Sequence, residues 1–237
     1  MRQRRLRILV TAGPTREYLD RVRYLSNESS GRMGFALAAA ALQRGHHVTL
    51  IHGPVALRPP RGARCVPVVS AREMLAACEQ EWPAHDVLIM AAAVADYTPL
   101  VRFAFKRKKA AEPVSVRLVP TVDILSRLSA SRTAGQVVIG FALEDRAPRR
   151  RAREKLRRKR LDAIILNPPS AMSAPTATIE LLVPGAGWRT FSGTKLATAR
   201  QLLRAIEPIA EPALRDASTH SSRFATRTSK ATARDSR

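Results

Sequence analysis

Apolar residues fall in short continuous runs divided by polar punctuation, and the runs change character along the chain. Residues 6–12 (LRILVTA) are apolar and β-branched without strict alternation, which predicts a strand covered on both faces. Residues 33–45 (MGFALAAAALQRG) are rich in Ala and Leu and close on Gly45, which predicts a helix with a glycine stop. A second strand follows in HVTLIHGP, ended by Gly53 and Pro54. The pattern then repeats as a strand at 65–69 (CVPVV), a helix at 70–82 (SAREMLAACEQEW) begun by a Ser70 cap, and a strand at 86–96 (DVLIMAAAVAD). After a basic loop, 120–130 (PTVDILSRLSA) reads as a short helix, 136–143 (QVVIGFAL) as a strand, 148–160 as a charged helix and 162–167 (DAIILN) as a strand.

Strands that alternate with helices and lack a wet face predict an α/β fold: three layers, Rossmann-like and doubly wound on a mainly parallel sheet. Ligands of such folds gather at the carboxyl ends of the strands, so residues just after each strand carry the functional expectation. One domain is expected over residues 1–210. From Glu211 the composition turns to Ser, Thr, Ala and Arg, too poor in large apolar residues to offset ordering entropy, so 211–237 is expected to be a basic disordered tail.

No apolar run approaches the roughly 20 residues that span a bilayer. The basic, then apolar, start MRQRRLRILV is too short in its apolar part for a secretory signal and reads as the first strand. Cys65 and Cys78 show neither CxxC spacing nor a nearby His, so two reduced thiols in a cytoplasmic protein without membrane contact are expected. The net charge of +22 implies attraction to phosphates. The few aromatic residues do not interleave with the arginines as a stacking platform would, and nucleic acid is not the expected partner.

Chemistry concentrates in four stretches. SNESSGRMG, residues 26–34, delivers hydrogen-bonding side chains and two glycines to a helix start, where backbone amides are unpaired and the dipole is positive; this suits an anion or phosphoester. In AAAVADYTP, residues 91–99, small residues let a flat base approach the backbone and Asp96 can accept from a hydroxyl or amino group. FKRKK, residues 105–109, is either a solvated face or a clamp on a triphosphate. Lys155 and Lys159 share one helix face by their i, i+4 spacing. TAGPTRE lacks the G-x-G-x-x-G fingerprint and the second strand ends without an acid for a ribose, which weighs against a nicotinamide oxidoreductase. No metal-ligand cluster or Ser-His-Asp set stands out, so the residues alone leave open a nucleotide-using enzyme and a binding module for nucleotides or nucleic acid that has lost its chemistry.

Together with GFALED (140–145) and AREKLRRKRLDAIILN (152–167), these stretches resemble the phosphopantothenoylcysteine synthetases of coenzyme A biosynthesis, in their bacterial CTP-using form, over about residues 7–206. The resemblance implies a ligase that joins 4′-phosphopantothenate to L-cysteine through an acyl cytidylate, releasing pyrophosphate and then CMP. It implies that Arg23 and Asn27 bind the intermediate, with Asn27 as the amide donor to a developing oxyanion, and that Ser29, Ser30 and Gly31 form the substrate loop. It assigns Gly13, Ala92, Ala93, Asp96, Thr121, Val122, Asp123, Ile124 and Phe141 to the nucleotide. Lys106, Lys155 and Lys159 are implied to face the phosphates, Lys106 as a catalytic residue. Mg²⁺ accompanying CTP is implied, as is a homodimer, with no flavin in this chain and a flavin-dependent decarboxylase as a separate partner or fused half.

Overall fold

The structure is a computed structural model that describes residues 4–109, 111–168 and 174–210. Strands β1 (Arg7–Ala12), β4 (His47–His52), β5 (Arg64–Pro67), β6 (Val87–Met90), β9 (Val137–Leu143) and β10 (Ala163–Asn167) run parallel in one sheet, joined at one edge by the antiparallel β11 (Thr176–Val183) and β12 (Gly187–Thr194). The order across the sheet is β12-β11-β10-β9-β6-β1-β4-β5. The expected α/β fold with a mainly parallel sheet is thus present.

Successive strand residues serve opposite faces, which is why the runs are continuously apolar. Ile8 and Val10 of β1 join Leu50, Ile89, Ile139 and Ile165 in a core under α1 (Arg32–Gln43) and α5 (residues 195–210). Leu9, Leu88, Val138 and Ile164 point the other way, under α2 (Ala71–Glu81), α3 (Ile124–Ala130) and α4 (Pro148–Arg158). The chain steps from β1 to β4 on one side and later returns to β6 on the other, so the topological switch lies between β1 and β6.

Two small hairpins branch from that point: β2 (Arg16–Tyr18) with β3 (Tyr24–Ser26), and β7 (Tyr97–Pro99) with β8 (Leu118–Pro120). Phe103 N donates to Leu19 O at 2.9 Å, which ties the two excursions together. The expected strand at 86–96 ends its ladder at Met90, and the expected helix at 120–130 starts only at Ile124, because Asp123 is the N-cap and Leu118–Pro120 is extended. Strands β11 and β12 and helix α5 were not expected. The tail expected over 211–237 lies outside the described residues. Cys65 and Cys78 are free, and burial lifts the Cys78 thiol to about 12. Among the described residues no helix is long and apolar enough to cross a membrane.

Candidate active site

A cavity of about 590 Å³ opens at the carboxyl ends of β6 and β9, beside the switch point. The start of α1 forms one wall. Gly31 is its N-cap with φ of 72°, a left-handed backbone that favours glycine, and no side chain caps the helix. The first-turn amides therefore face the cavity with their positive dipole end. Gly34 lets α1 lie against β1: a Cβ there would stand 2.5 Å from Ala12 Cβ and 3.0 Å from Thr11 O.

Of the residues expected at the site, Asn27, Ser29, Ser30, Gly31, Ala92, Ala93, Asp96, Thr121, Val122, Asp123, Ile124, Phe141, Lys155 and Lys159 come together around this cavity. Three do not line it. Gly13 lies buried beneath Gly31, and its carbonyl accepts from Ala93 N at 2.9 Å. Arg23 sits on the β2–β3 turn, bonded to the buried Asp20 carboxylate and to Arg107 O; that guanidinium, with the Arg23 and Val22 amides, holds Asp20 far below the usual carboxylate range. Lys106 stands exposed on the loop between β7 and β8.

Local bonds alter several expected roles. Asn27 Nδ2 donates to Ala93 O at 3.2 Å and to Val94 O at 2.9 Å. Carbonyls accept only, so the amide orientation is fixed, both hydrogens are spent, and Asn27 presents Oδ1, an acceptor, in place of the expected oxyanion donor. Asp123 caps α3 through Ser126 N at 3.1 Å and accepts from Lys159 Nζ at 2.7 and 2.8 Å on its two oxygens. Burial pushes the Asp123 carboxyl up, but Lys159 and Ser126 outweigh it and hold it below its ordinary value. Lys159 is thus committed to a carboxylate. Lys155 forms no ion pair among the described residues, and burial, with the charge of Lys159, lowers its pKa. Thr121 binds the strand end, N to Asp96 O at 2.9 Å and Oγ1 to Ala95 O at 2.6 Å.

Further wall residues that were not singled out from the sequence include Arg32, Glu144, Asn167 and Lys195. Glu144 and Asn167 follow or end strands β9 and β10, so their position at strand ends was a readable signal. Asn167 Oδ1 is buried with no hydrogen-bond partner among the described residues. Lys195 opens α5 and is 7% exposed; burial and the nearby Arg32 charge push its ammonium below the ordinary lysine value. Nothing in the sequence near Lys195 announced it, because it reaches the cavity only through the unexpected β11–β12 hairpin.

No group of three His, Cys, Asp or Glu side chains among the described residues is arranged to hold a metal. The cavity nevertheless offers cations, helix amides and a wall of small residues, a set that suits a phosphorylated ligand with a flat ring.

Residues 3–209 match the family described as the DNA/pantothenate metabolism flavoprotein C-terminal domain. The chain is 45% identical over 168 residues to the coenzyme A biosynthesis bifunctional protein CoaBC of Bacillus subtilis (strain 168), covering 70% of this chain and 41% of that protein. It is also 45% identical over 162 residues to a cysteine/cysteine sulfinic acid decarboxylase of an unknown prokaryotic organism, covering 68% and 45%. The crystal structure of the C-terminal domain of CoaBC superposes with a TM-score of 0.76 at 37% identity, over 87% of this chain and 96% of that one. The chain spans about two-fifths of the length of the curated relatives it matches.

Proposed function

The chain belongs to the family of the DNA/pantothenate metabolism flavoprotein C-terminal domain, and we propose that it is the phosphopantothenate–cysteine ligase of coenzyme A biosynthesis and that it uses CTP. The observation that carries the reading is the single cavity in which the uncapped end of α1, Lys155 and the small strand-end residues Ala92 and Ala93 meet.

In the first step a carboxylate oxygen of 4′-phosphopantothenate attacks the α-phosphorus of CTP. A new P–O bond forms, the bond to the β-phosphate breaks, and pyrophosphate leaves. In the second, the amine of cysteine attacks the acyl carbon; the C–O bond to phosphate breaks, CMP leaves, and the amine gives up a proton. Activation is needed because a bare carboxylate oxygen is a poor leaving group and CMP is a good one.

The first-turn amides of α1 and Lys155 suit the charge gathered on the phosphates. Ala92 and Ala93 leave room for the base against the backbone, Phe141 flanks it, and Asp96 accepts from a ribose hydroxyl or an amino group. Asn27 Oδ1 is an acceptor for an N–H of the attacking amine, and its Nδ2 bonds hold the 93–94 strand end in place. Lys106 and Arg23 act on this reading only when their loops approach a bound substrate, here or on a second copy. Mg²⁺ would arrive with the triphosphate and be held chiefly by phosphate oxygens, with the Asp96 carboxylate on the wall as a further oxygen ligand, since Glu144 already pairs with Arg151 at 3.3 Å; it would offset phosphate charge.

A homodimer belongs to the proposal. Tyr97, Val101 and Phe105 are 55%, 58% and 72% exposed on the β7–β8 excursion, beside exposed Val22, Tyr24 and Leu25 of the β2–β3 hairpin, large apolar side chains interleaved with exposed arginines and lysines. A flavin-dependent decarboxylase would supply the other activity, and the free thiols suit a cytoplasmic setting.

The test is pyrophosphate release with Mg²⁺ and 4′-phosphopantothenate, with and without cysteine, run in parallel with CTP and ATP. Release that requires both 4′-phosphopantothenate and CTP is the expected result. No release with either nucleotide overturns the ligase reading and leaves a nucleotide- or nucleic-acid-binding protein; RNA or DNA binding that survives about 0.2 M salt would then mark the latter.

A further inference from the structure

A second cleft, of about 660 Å³, backs onto the nucleotide cavity and shares Thr121 and Val122 with it. Its walls are β2, the first turn of α2, the end of β7 with the residues after it, and the end of β8. Arg16, Arg21, Arg72 and Arg102 line it, and none of the four forms an ion pair among the described residues.

Three of these guanidinium groups are held in place by rings instead of carboxylates. Arg16 lies 4.5 Å over Tyr24, Arg21 5.1 Å over Phe105 and Arg102 4.9 Å over Tyr18. A guanidinium stacked on a ring keeps its in-plane N–H edge available, which is the geometry that grips a phosphate or carboxylate in two places. Arg16 is half-buried, and its backbone N–H is fixed to Val69 O at 2.8 Å.

The two carboxylates in the wall are each held by neutral donors of the α2 start. Glu17, 5% exposed, accepts from Ala71 N at 2.8 Å, and Glu73 accepts from Val69 N at 2.8 Å and from Ser70 Oγ at 3.2 Å. Both carboxylates keep their charge when bonded to neutral donors, so four positive charges and two negative ones border one concave space, a net of two positive. Val69, Leu75 and Pro99 supply apolar wall, and the volume lies within the roughly 300–1,000 Å³ of small-molecule sites.

We infer that this cleft is a second ligand site, for a small organic anion carrying at least two phosphate charges, distinct from the nucleotide cavity. Its occupation bears on catalysis through the shared wall, since Thr121 is bonded to Ala95 O and Asp96 O on the nucleotide side. Coupling of this kind is reciprocal: an anion that tightens CTP binding is itself held more tightly when CTP is present. The coupling rests on the nucleotide reading of the first cavity; the site does not.

Calorimetric titration of the full chain with inorganic pyrophosphate tests it. Two pyrophosphate sites per chain are expected, one of them emptied by excess CTP. Arg16→Gln with Arg102→Gln should weaken the CTP-insensitive site at least ten-fold and spare the other, with an unchanged melting temperature; Arg72→Gln, whose side chain stacks on no ring, should weaken it in the same direction. A single site, or two sites indifferent to these arginines, overturns the inference. A change in sedimentation mass in the variants with no change in pyrophosphate count shows that a second copy fills the cleft, and also overturns it. If CTP empties neither site while the arginine-dependent one persists, the nucleotide reading fails and this one stands.

Discussion

On the ligase reading Lys155 is the side chain on which phosphate binding in the cavity turns, since Lys159 is neutralised by Asp123 and Lys155 forms no ion pair among the described residues. Burial and the Lys159 charge place its pKa below the ordinary 10.5, so in the free protein the ammonium is lost at a lower pH than in an ordinary lysine. A bound triphosphate favours the charged form, so CTP affinity should decline with rising pH, starting below 10.5 and accompanied by proton uptake on binding. Calorimetry in buffers of different ionisation heat between pH 7.5 and 10 reads both effects. Lys155→Met should lose about 1.5–3 kcal/mol of CTP binding, the worth of one charge-assisted contact, and flatten the profile; an unchanged slope would take Lys155 out of the phosphate site. Asn27→Ala should keep pyrophosphate release and slow amide formation, because it removes the acceptor for the amine and loosens the 93–94 strand end. A drop in both steps alike would mean that Asn27 serves binding alone. The position of Asn27 was legible in its polar loop, but its polarity was not: the carbonyls that consume its hydrogens belong to residues 66 and 67 places along the chain.

The elements repeat the lesson in their packing. Gly34 permits α1 to touch β1, and the position of the helix end proposed to bind phosphate depends on that contact. Gly34→Ala gains about 1 kcal/mol of helix propensity but drives a Cβ into Ala12 and Thr11 O, an overpacking that costs typically 1–3 kcal/mol. A lower denaturation midpoint with weakened CTP binding is expected; a more stable variant would show that α1 can lift away freely. At the other end of the same layer, Glu207 of α5 accepts from Arg44 and from His46 Nε2, whose Nδ1 accepts from Leu6 N at 3.2 Å. Leu6 N–H fixes the His46 tautomer, so Glu207→Ala strands a buried donor beside Arg44 and should cost about 3 kcal/mol in urea unfolding. The parallel strands were readable because burial on two faces leaves continuous apolar runs. Strand β11 alternates Ala177, Ile179 and Leu181 inward with Thr176, Thr178 and Glu180, a different signature from the one its neighbours taught. The three-residue hairpin strands are too short to show any period, and α5 came into view only once β11 and β12 had brought the chain back across the sheet.

For the whole molecule, the charge of +22 acts on two encounters with opposite sign. The proposed substrates, CTP and 4′-phosphopantothenate, are both anionic, so on the ligase reading a strongly basic surface steers them in, and salt should lower kcat/KM while leaving kcat nearly constant. Two copies of the chain repel each other, so the proposed dimer would be held against that repulsion by the exposed apolar side chains of the β2–β3 and β7–β8 excursions. Salt that weakens substrate capture should therefore tighten the dimer. Sedimentation between about 0.05 and 0.5 M salt reads the second trend against kinetics for the first, with a Debye length falling from roughly 14 to 4 Å over that range. Val101→Ser with Phe105→Ser should shift the mass to one chain and leave the melting temperature of the monomer unchanged, since both side chains are more than half exposed. If dimer and substrate capture both weaken with salt, the contact between copies is ionic and lies elsewhere on the surface; if the double variant stays dimeric, the exposed apolar excursions meet some other partner.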